Sequence, residues 1–255
     1  MKKWGNTGAN LPPLVFLVLL IAIWEVTGRA FNIPDHILPA PSSIGKALLN
    51  NMPLLWLHTK MTITAASVGL VLAVFVALVL SVLMNRVKMI KRVFYPLLVI
   101  SQTVPIIALI PIMIIWFGFG LLPKILVVTL VCFFPLSVNL TEGLENVDNE
   151  LIDLLKVMKA GPWRIFKSVQ MPSVLPYFFS GLKISATYSV MGAVIAEWLG
   201  ARAGLGIYMT RAMHSYSYSS FFAAIFIVVL LSMSLFKFTE LLAWLSMPWN
   251  RIKEE

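Results

Sequence analysis

The sequence predicts an all-α, polytopic membrane protein with about six transmembrane helices and one polar helical hairpin, residues 1–255 forming a single domain. Two observations carry this expectation. Of 255 residues, 59% are hydrophobic and only 12% charged, with a mean hydropathy of +0.89. A soluble chain carries about 45–50% apolar and about 25% charged residues, enough to cover a surface facing water. The second is the recurrence of apolar runs long enough to cross about 30 Å of hydrocarbon, separated by short polar, Pro- or Gly-rich stretches.

The net charge of +9 does not point to nucleic acid, because the basic residues sit in short clusters between apolar runs, as the positive-inside bias places them. A single cysteine, Cys132, excludes an internal disulfide framework and a cysteine metal site. His36, His58 and His214 are too scattered for a zinc motif and read as ordinary interfacial side chains.

The first run, about 13–28, follows Lys2 and Lys3 and ends near Glu25, whose charge costs least at the interface. Thr27-Gly28-Arg29 is a poor signal-peptidase site, so this run reads as an uncleaved helix. Residues 32–57 hold Pro34, Pro39, Pro41 and Pro53, and an amphipathic piece (Ile44, Leu48, Leu49) follows the cap candidates Ser42 and Ser43. They read as an outer loop with an interfacial helix. The second span, 60–84, stops at the basic cluster Arg86, Lys88, Lys91 and Arg92.

A third span is expected over 93–117 despite Pro96, Pro105 and Pro111, provided neighbours satisfy the freed carbonyls. Gly118, Gly120 and Pro123 turn the chain into a fourth span, 124–141. The fifth and sixth cover 176–199 and 221–247, joined by a Gly- and Tyr-rich loop with Arg202 and Arg211. With both termini inside, twelve Lys and Arg fall on the inner side and six on the outer, the expected bias. Lys183 and Lys237 snorkel inward from span ends.

The polar segment, 142–175, lies on the inner side. Asp148 or Asn149 can cap a helix whose first turns hold Glu150 and Asp153, matching the positive dipole end. Leu151, Leu154, Leu155 and Met158 fall on one face, Lys156 and Lys159 come last, and Gly161-Pro162 stops the helix. A second short helix, Trp163 to Val169, is expected to end before Met171-Pro172. Physics alone leaves two readings open: a hairpin resting on lipid headgroups, or a helix presented to a groove on a cytosolic partner.

The spacing of this segment resembles the signature of permease subunits of bacterial ATP-binding-cassette importers. That signature reads Glu-Ala-Ala, three residues, Gly, nine residues, Ile-x-Leu-Pro. Here Asp153-Leu154-Leu155 stands for Glu-Ala-Ala, Lys159 for the glycine (a glycine, Gly161, follows two residues later), Val169 for the isoleucine and Met171-Pro172 for Leu-Pro. Pro39-Ala40-Pro41-Ser42, Gln102-Thr103-Val104-Pro105, Trp116-Phe117-Gly118, and Ala196-Glu197 followed by Gly204-Leu205-Gly206 are similar to the branch importing sulfonates, taurine, nitrate and vitamin precursors. Ser101 to Pro105 and Cys132-Phe133-Phe134-Pro135 look most like importers of thiamine-precursor pyrimidines, with riboflavin importers next.

The resemblance implies the type I importer permease fold in the inner membrane, both termini cytoplasmic. It implies a homodimer, two cytosolic ATPase subunits carrying ATP and Mg2+, and an external solute-binding protein. This chain has no Gly-rich loop followed by Lys-Ser/Thr, so it is expected to bind no cofactor and to catalyse nothing itself. Leu154, Leu155 and Met158 would fill a groove on the ATPase, with Asp153 and Lys159 pairing at its rim. Gln102, Thr103, Asn139, Ser185, Thr187, Tyr188 and Ser189 are pathway candidates, each equally suited to plain interhelical hydrogen bonding. Glu197 either meets substrate or pairs with Arg202 to brace an outer gate; bracing is preferred. Met191 and Gly192 are expected to serve close packing. An ion-coupled carrier would instead favour buried mid-span carboxylates and inverted repeats.

Overall fold

A computed structural model describes residues 11–31, 33–199 and 201–249. Lys2, Lys3, Arg251 and Lys253, which enter the orientation argument, lie outside them. Among the described residues all regular structure is helical. Among the described residues four helices are long and apolar enough to cross a membrane, or five if one bent pair counts as a single span.

Helix α1 (Leu11–Ala30) lies at the periphery, where Trp24 meets Phe222 edge-on at 6.2 Å. Glu25 reaches out to α2 (Pro41–Asn50) and accepts from the Ser42 amide at 3.0 Å and hydroxyl at 2.8 Å, capping that helix from outside. Helix α3 (Met52–Arg86) begins earlier than the sequence suggests. Pro53 falls in its first turn, where a missing N–H removes nothing that would have been paired. At 35 residues it is about 52 Å long and overshoots the hydrocarbon.

The run expected as an unbroken third span is broken. Helix α4 (Lys88–Ser101) and α5 (Ile106–Phe117) meet at 104° across residues 102–105. Pro105 lacks a donor and disfavours helical geometry at Val104, and the Thr103 hydroxyl takes the Ile100 carbonyl at 2.8 Å. Pro96 and Pro111, by contrast, stay inside their helices.

Helix α6 (Leu121–Glu145) and α9 (Met171–Trp198) form the core with α3. Their contact faces are built from small residues, among them Ala65, Ala66, Ala73, Ala77, Ala186 and Ala193, which let helix backbones approach closely without a hydrophobic driving force between them. A Cβ on Gly69 would sit 2.6 Å from that of Val128, so α3 and α6 cross where no side chain fits between them. Helix α11 (Tyr218–Ser246) lies on the outside of α9.

Two further boundaries differ from expectation. The stretch before α9 stays helical past Met171-Pro172: α8 (Pro162–Ile165) leads through a π turn, Phe166–Gln170, straight into α9. The wider winding, with the Met171 N–H on the Phe166 carbonyl, accommodates a ring that would clash in an α turn. The expected Gly- and Tyr-rich loop contains α10 (Leu205–His214). Its Leu205, Tyr208, Met209 and Ala212 are buried at helical spacing, a stripe present in the sequence but crowded by glycines.

Candidate functional site

Asp148 starts α7 (Asn149–Val157): its carboxylate accepts from the Glu150 amide at 2.8 Å and the Leu151 amide at 3.4 Å. None of the nine residues of α7 is buried. Leu151, Leu154 and Met158 of the expected stripe are exposed, joined by Val157 at 81% and Trp163 at 74%. Leu155 is half-buried. The exposed ridge therefore runs through Leu154, Val157 and Met158 and across to Trp163, whose ring stacks on Phe166 at 5.7 Å. Asp153 takes Lys156, at 2.8 Å.

Lys159 resolves the departure from the signature. The Lys159 amide donates to the Lys156 carbonyl and the Ala160 amide to the Leu155 carbonyl, both at 2.9 Å, and Lys159 itself has φ +58. This is a Schellman ending with lysine at the left-handed position that glycine usually fills. Gly161, at φ −68, has no such need and simply precedes Pro162. On the far side of the turn, Val169 is buried, Met171 is exposed and Pro172 is half-buried.

A second constellation gathers where α3, α6, α9 and α10 converge. Glu197 is fully buried. It accepts from the Thr62 hydroxyl at 2.9 Å and from the Gly206 amide at 3.0 Å. Lys124 approaches it to 3.7 Å and donates to the Ala203 carbonyl at 2.8 Å. Thr62 also accepts from the Leu205 amide, and His58 Nδ1 from the Gly204 amide. The expected Glu197–Arg202 pair does not form: Arg202 is exposed, and its carbonyl accepts from Arg211 at 3.4 Å. A buried acid requires a partner inside, and Lys124 on α6 is closer.

The other pathway candidates are dispersed. Gln102 and Thr103 are exposed at the α4–α5 break; Gln102 edges a largely apolar groove of about 600 Å³ that includes Phe75, Phe94 and Phe133. Asn139 donates to the Pro135 carbonyl, Ser189 to Ala186 and Thr187 to Lys183, all within their own helices. Ser185 alone bridges helices, through the Cys132 carbonyl at 2.8 Å. Tyr188 is exposed, as is Met191, which has no close packing within this chain, whereas Gly192 lies 3.3 Å from Val131 by its missing Cβ. Among the described residues no cluster of His, Cys, Asp and Glu could hold a metal ion.

Residues 69–243, spanning the core, the hairpin and most of the buried junction, match the model of the binding-protein-dependent transport system inner membrane component. The chain belongs to that family. It is a multi-pass inner-membrane permease subunit of an ATP-binding-cassette importer, a transport component rather than an enzyme. The formylaminopyrimidine transport permease protein ThiX of Halalkalibacterium halodurans is 36% identical over 94% of this permease and 96% of its own length. The riboflavin transport system permease protein RibX of Chloroflexus aurantiacus is 30% identical over 97% and 92%. An inward-facing structure of the MetNI methionine ABC transporter superposes with a TM-score of 0.66 at 19% identity, covering 76% of this chain and 96% of that one. The permease thus has the type I importer fold, in the branch its motifs resemble.

Three residues of this buried junction carry no local signal in the sequence. Thr62, His58 and Lys124 lie 73 to 146 residues from the Glu197 or Gly204 groups they approach, and His58, expected as an ordinary interfacial side chain, is instead buried within α3. The one local signal was Gly204-Leu205-Gly206 itself. A Cβ at Gly204 would fall inside the Glu197 carboxyl, and one at Gly206 would strike the Val194 carbonyl.

Proposed function

We propose that α7 and the start of α8 dock in a groove on a cytosolic ATPase, and that two copies of this permease with two ATPase subunits import a thiamine-precursor pyrimidine delivered by an external binding protein. ATP and Mg2+ belong to the ATPase, and both termini of the permease lie in the cytoplasm. The observation that carries the docking is the exposed apolar ridge that runs from Leu154, Val157 and Met158 across to Trp163 on α8, with α7 burying none of its own residues. An unpaired apolar face of this kind fits the helix-in-groove mode of recognition. Asp153, Lys156 and Lys159 ring it with charge, while Val169, Met171, Pro172 and Gly161 shape the hairpin behind it. Gln102, Thr103, Asn139 and Ser189 are the pathway candidates, and the Glu197 junction braces the outer end of the bundle through Lys124, with Arg202 at its rim.

The substrate rests on the ThiX relative; riboflavin, an aliphatic sulfonate, taurine or nitrate are the alternatives. An ion-coupled carrier would need a buried carboxylate free to exchange a cation, and Glu197 is already held by Thr62, Gly206 and Lys124. The docking test pairs Leu154→Asp with Met158→Asp and leaves half-buried Leu155 intact. The double variant should insert normally yet fail to co-purify the ATPase; normal capture would sink the docking role. Competition uptake in proteoliposomes with the binding protein, using aminopyrimidine against riboflavin, taurine and nitrate, tests the substrate.

A further inference from the structure

We propose that the π turn Phe166–Gln170 is a two-state hinge, through which the α7–α8 hairpin turns against α9 when the ATPases close. The proposal rests on the docking reading above and adds the place where motion is converted. Below the turn, the hairpin is almost wholly exposed, held by buried Ile165 next to the turn, while Val169 is buried within the turn itself. Above it, α9 is fixed: a Cβ on Gly181 would lie 2.9 Å from the Pro135 carbonyl, Ser185 is bonded to α6 at 2.8 Å, and Glu197 locks the far end. Rigid rod and mobile handle meet at five residues.

Those residues are weakly tied along the axis. Pro172 and Pro176 each lack a donor, so two rungs of the ladder following the turn are missing. The Ser173 hydroxyl donates to the Val169 carbonyl at 2.8 Å, competing with that carbonyl's axial bond and favouring a bend. Beside the turn lies an apolar groove of about 290 Å³. Phe166, Gln170 and Met171 form one wall, facing Leu78 and Val82 of α3 and Leu144 of α6. A close-packed interior resists displacement; here the moving side chains have room.

Winding the π turn into an α turn would shift the hairpin by one residue, about 1.5 Å along the axis and about 100° around it. The two registers are discrete, as a bistable element requires. Single π turns inside α-helices are frequent at functional positions.

The test uses the permease assembled with its ATPase in nanodiscs. Spin labels are placed through Arg164→Cys and Ser180→Cys, both exposed positions, leaving buried Cys132 in place. The distance across the turn should differ between nucleotide-free and ATP-trapped complexes. Deletion of Ser168, which forces the turn to α, should make the two states alike and lower transport by about tenfold while ATP hydrolysis continues. An unchanged distance in the undeleted chain with ATPase bound overturns the hinge and leaves docking intact; it decides even if the deletion does not assemble. ATPase capture that ignores Leu154→Asp with Met158→Asp overturns docking instead.

Discussion

Lys124 and Glu197 face each other at 3.7 Å with almost no exposure to solvent, and both carry hydrogen bonds to the same short loop, 203–206. One charge sits on α6 and the other on α9, so the pair staples two core helices to the start of α10. Taking one partner away leaves the other buried and uncompensated. Lys124→Met should therefore destabilise the fold by about 3–5 kcal/mol, and Lys124→Met combined with Glu197→Gln should recover much of that loss. Thermal unfolding of the purified variants in detergent measures both, and a double variant no better than the single would refute the pairing.

The loop itself makes a sharper demand. Gly204 has φ +138, a backbone region strained for any other residue, and its missing Cβ is occupied by the Glu197 carboxyl. Gly204→Ala should cost about 1–3 kcal/mol in strain before displacement of Glu197 is counted. Gly45→Ala, at an exposed position of α2 with nothing within 4 Å of the added carbon, should instead gain about 0.5–1 kcal/mol. Opposite signs in melting temperature check the contrast; equal effects would mean that the junction is not close-packed.

What could be read from the sequence was whatever local chemistry decides. The hydropathy runs located the core helices, Asp148 announced the start of α7, and the glycine pair near Glu197 marked a close approach. Long-range pairing was hidden: nothing near Lys124 shows that its partner lies on α9, and Arg202, five residues from Glu197, looked the better neighbour. Proline acts against its expected local meaning twice. Pro105 breaks a span because it lacks a donor and disfavours helical geometry at Val104, whereas Pro172 ends nothing because a π turn precedes it.

At Lys159 the chain holds a lysine in the left-handed conformation, φ +58, where a Cβ costs about 1–2 kcal/mol. Lys159→Gly relieves that strain but loosens the unfolded chain, so a net gain of about 1 kcal/mol is expected. Slower amide hydrogen exchange at Ala160, whose donor closes the Schellman turn on the Leu155 carbonyl, is the readout. Faster exchange would show that the lysine side chain contributes more than its backbone strain removes.

Asp148→Ala tests whether the order of α7 matters to its partner. Nine residues form a marginal helix on their own, and among the described residues the Asp148 carboxylate is the side chain that caps it, taking the Glu150 and Leu151 amides. Losing that cap costs about 1 kcal/mol, which the ATPase must supply on binding if it recognises the folded helix. Its affinity for the permease should then fall by about fivefold. Asp148→Asn keeps a capping oxygen without the charge and should restore most of the affinity. If alanine and asparagine weaken binding equally, the aspartate contributes charge to the contact and not order to the helix. If neither changes it, the groove receives the ridge Leu154, Val157 and Met158 without requiring a preformed α7.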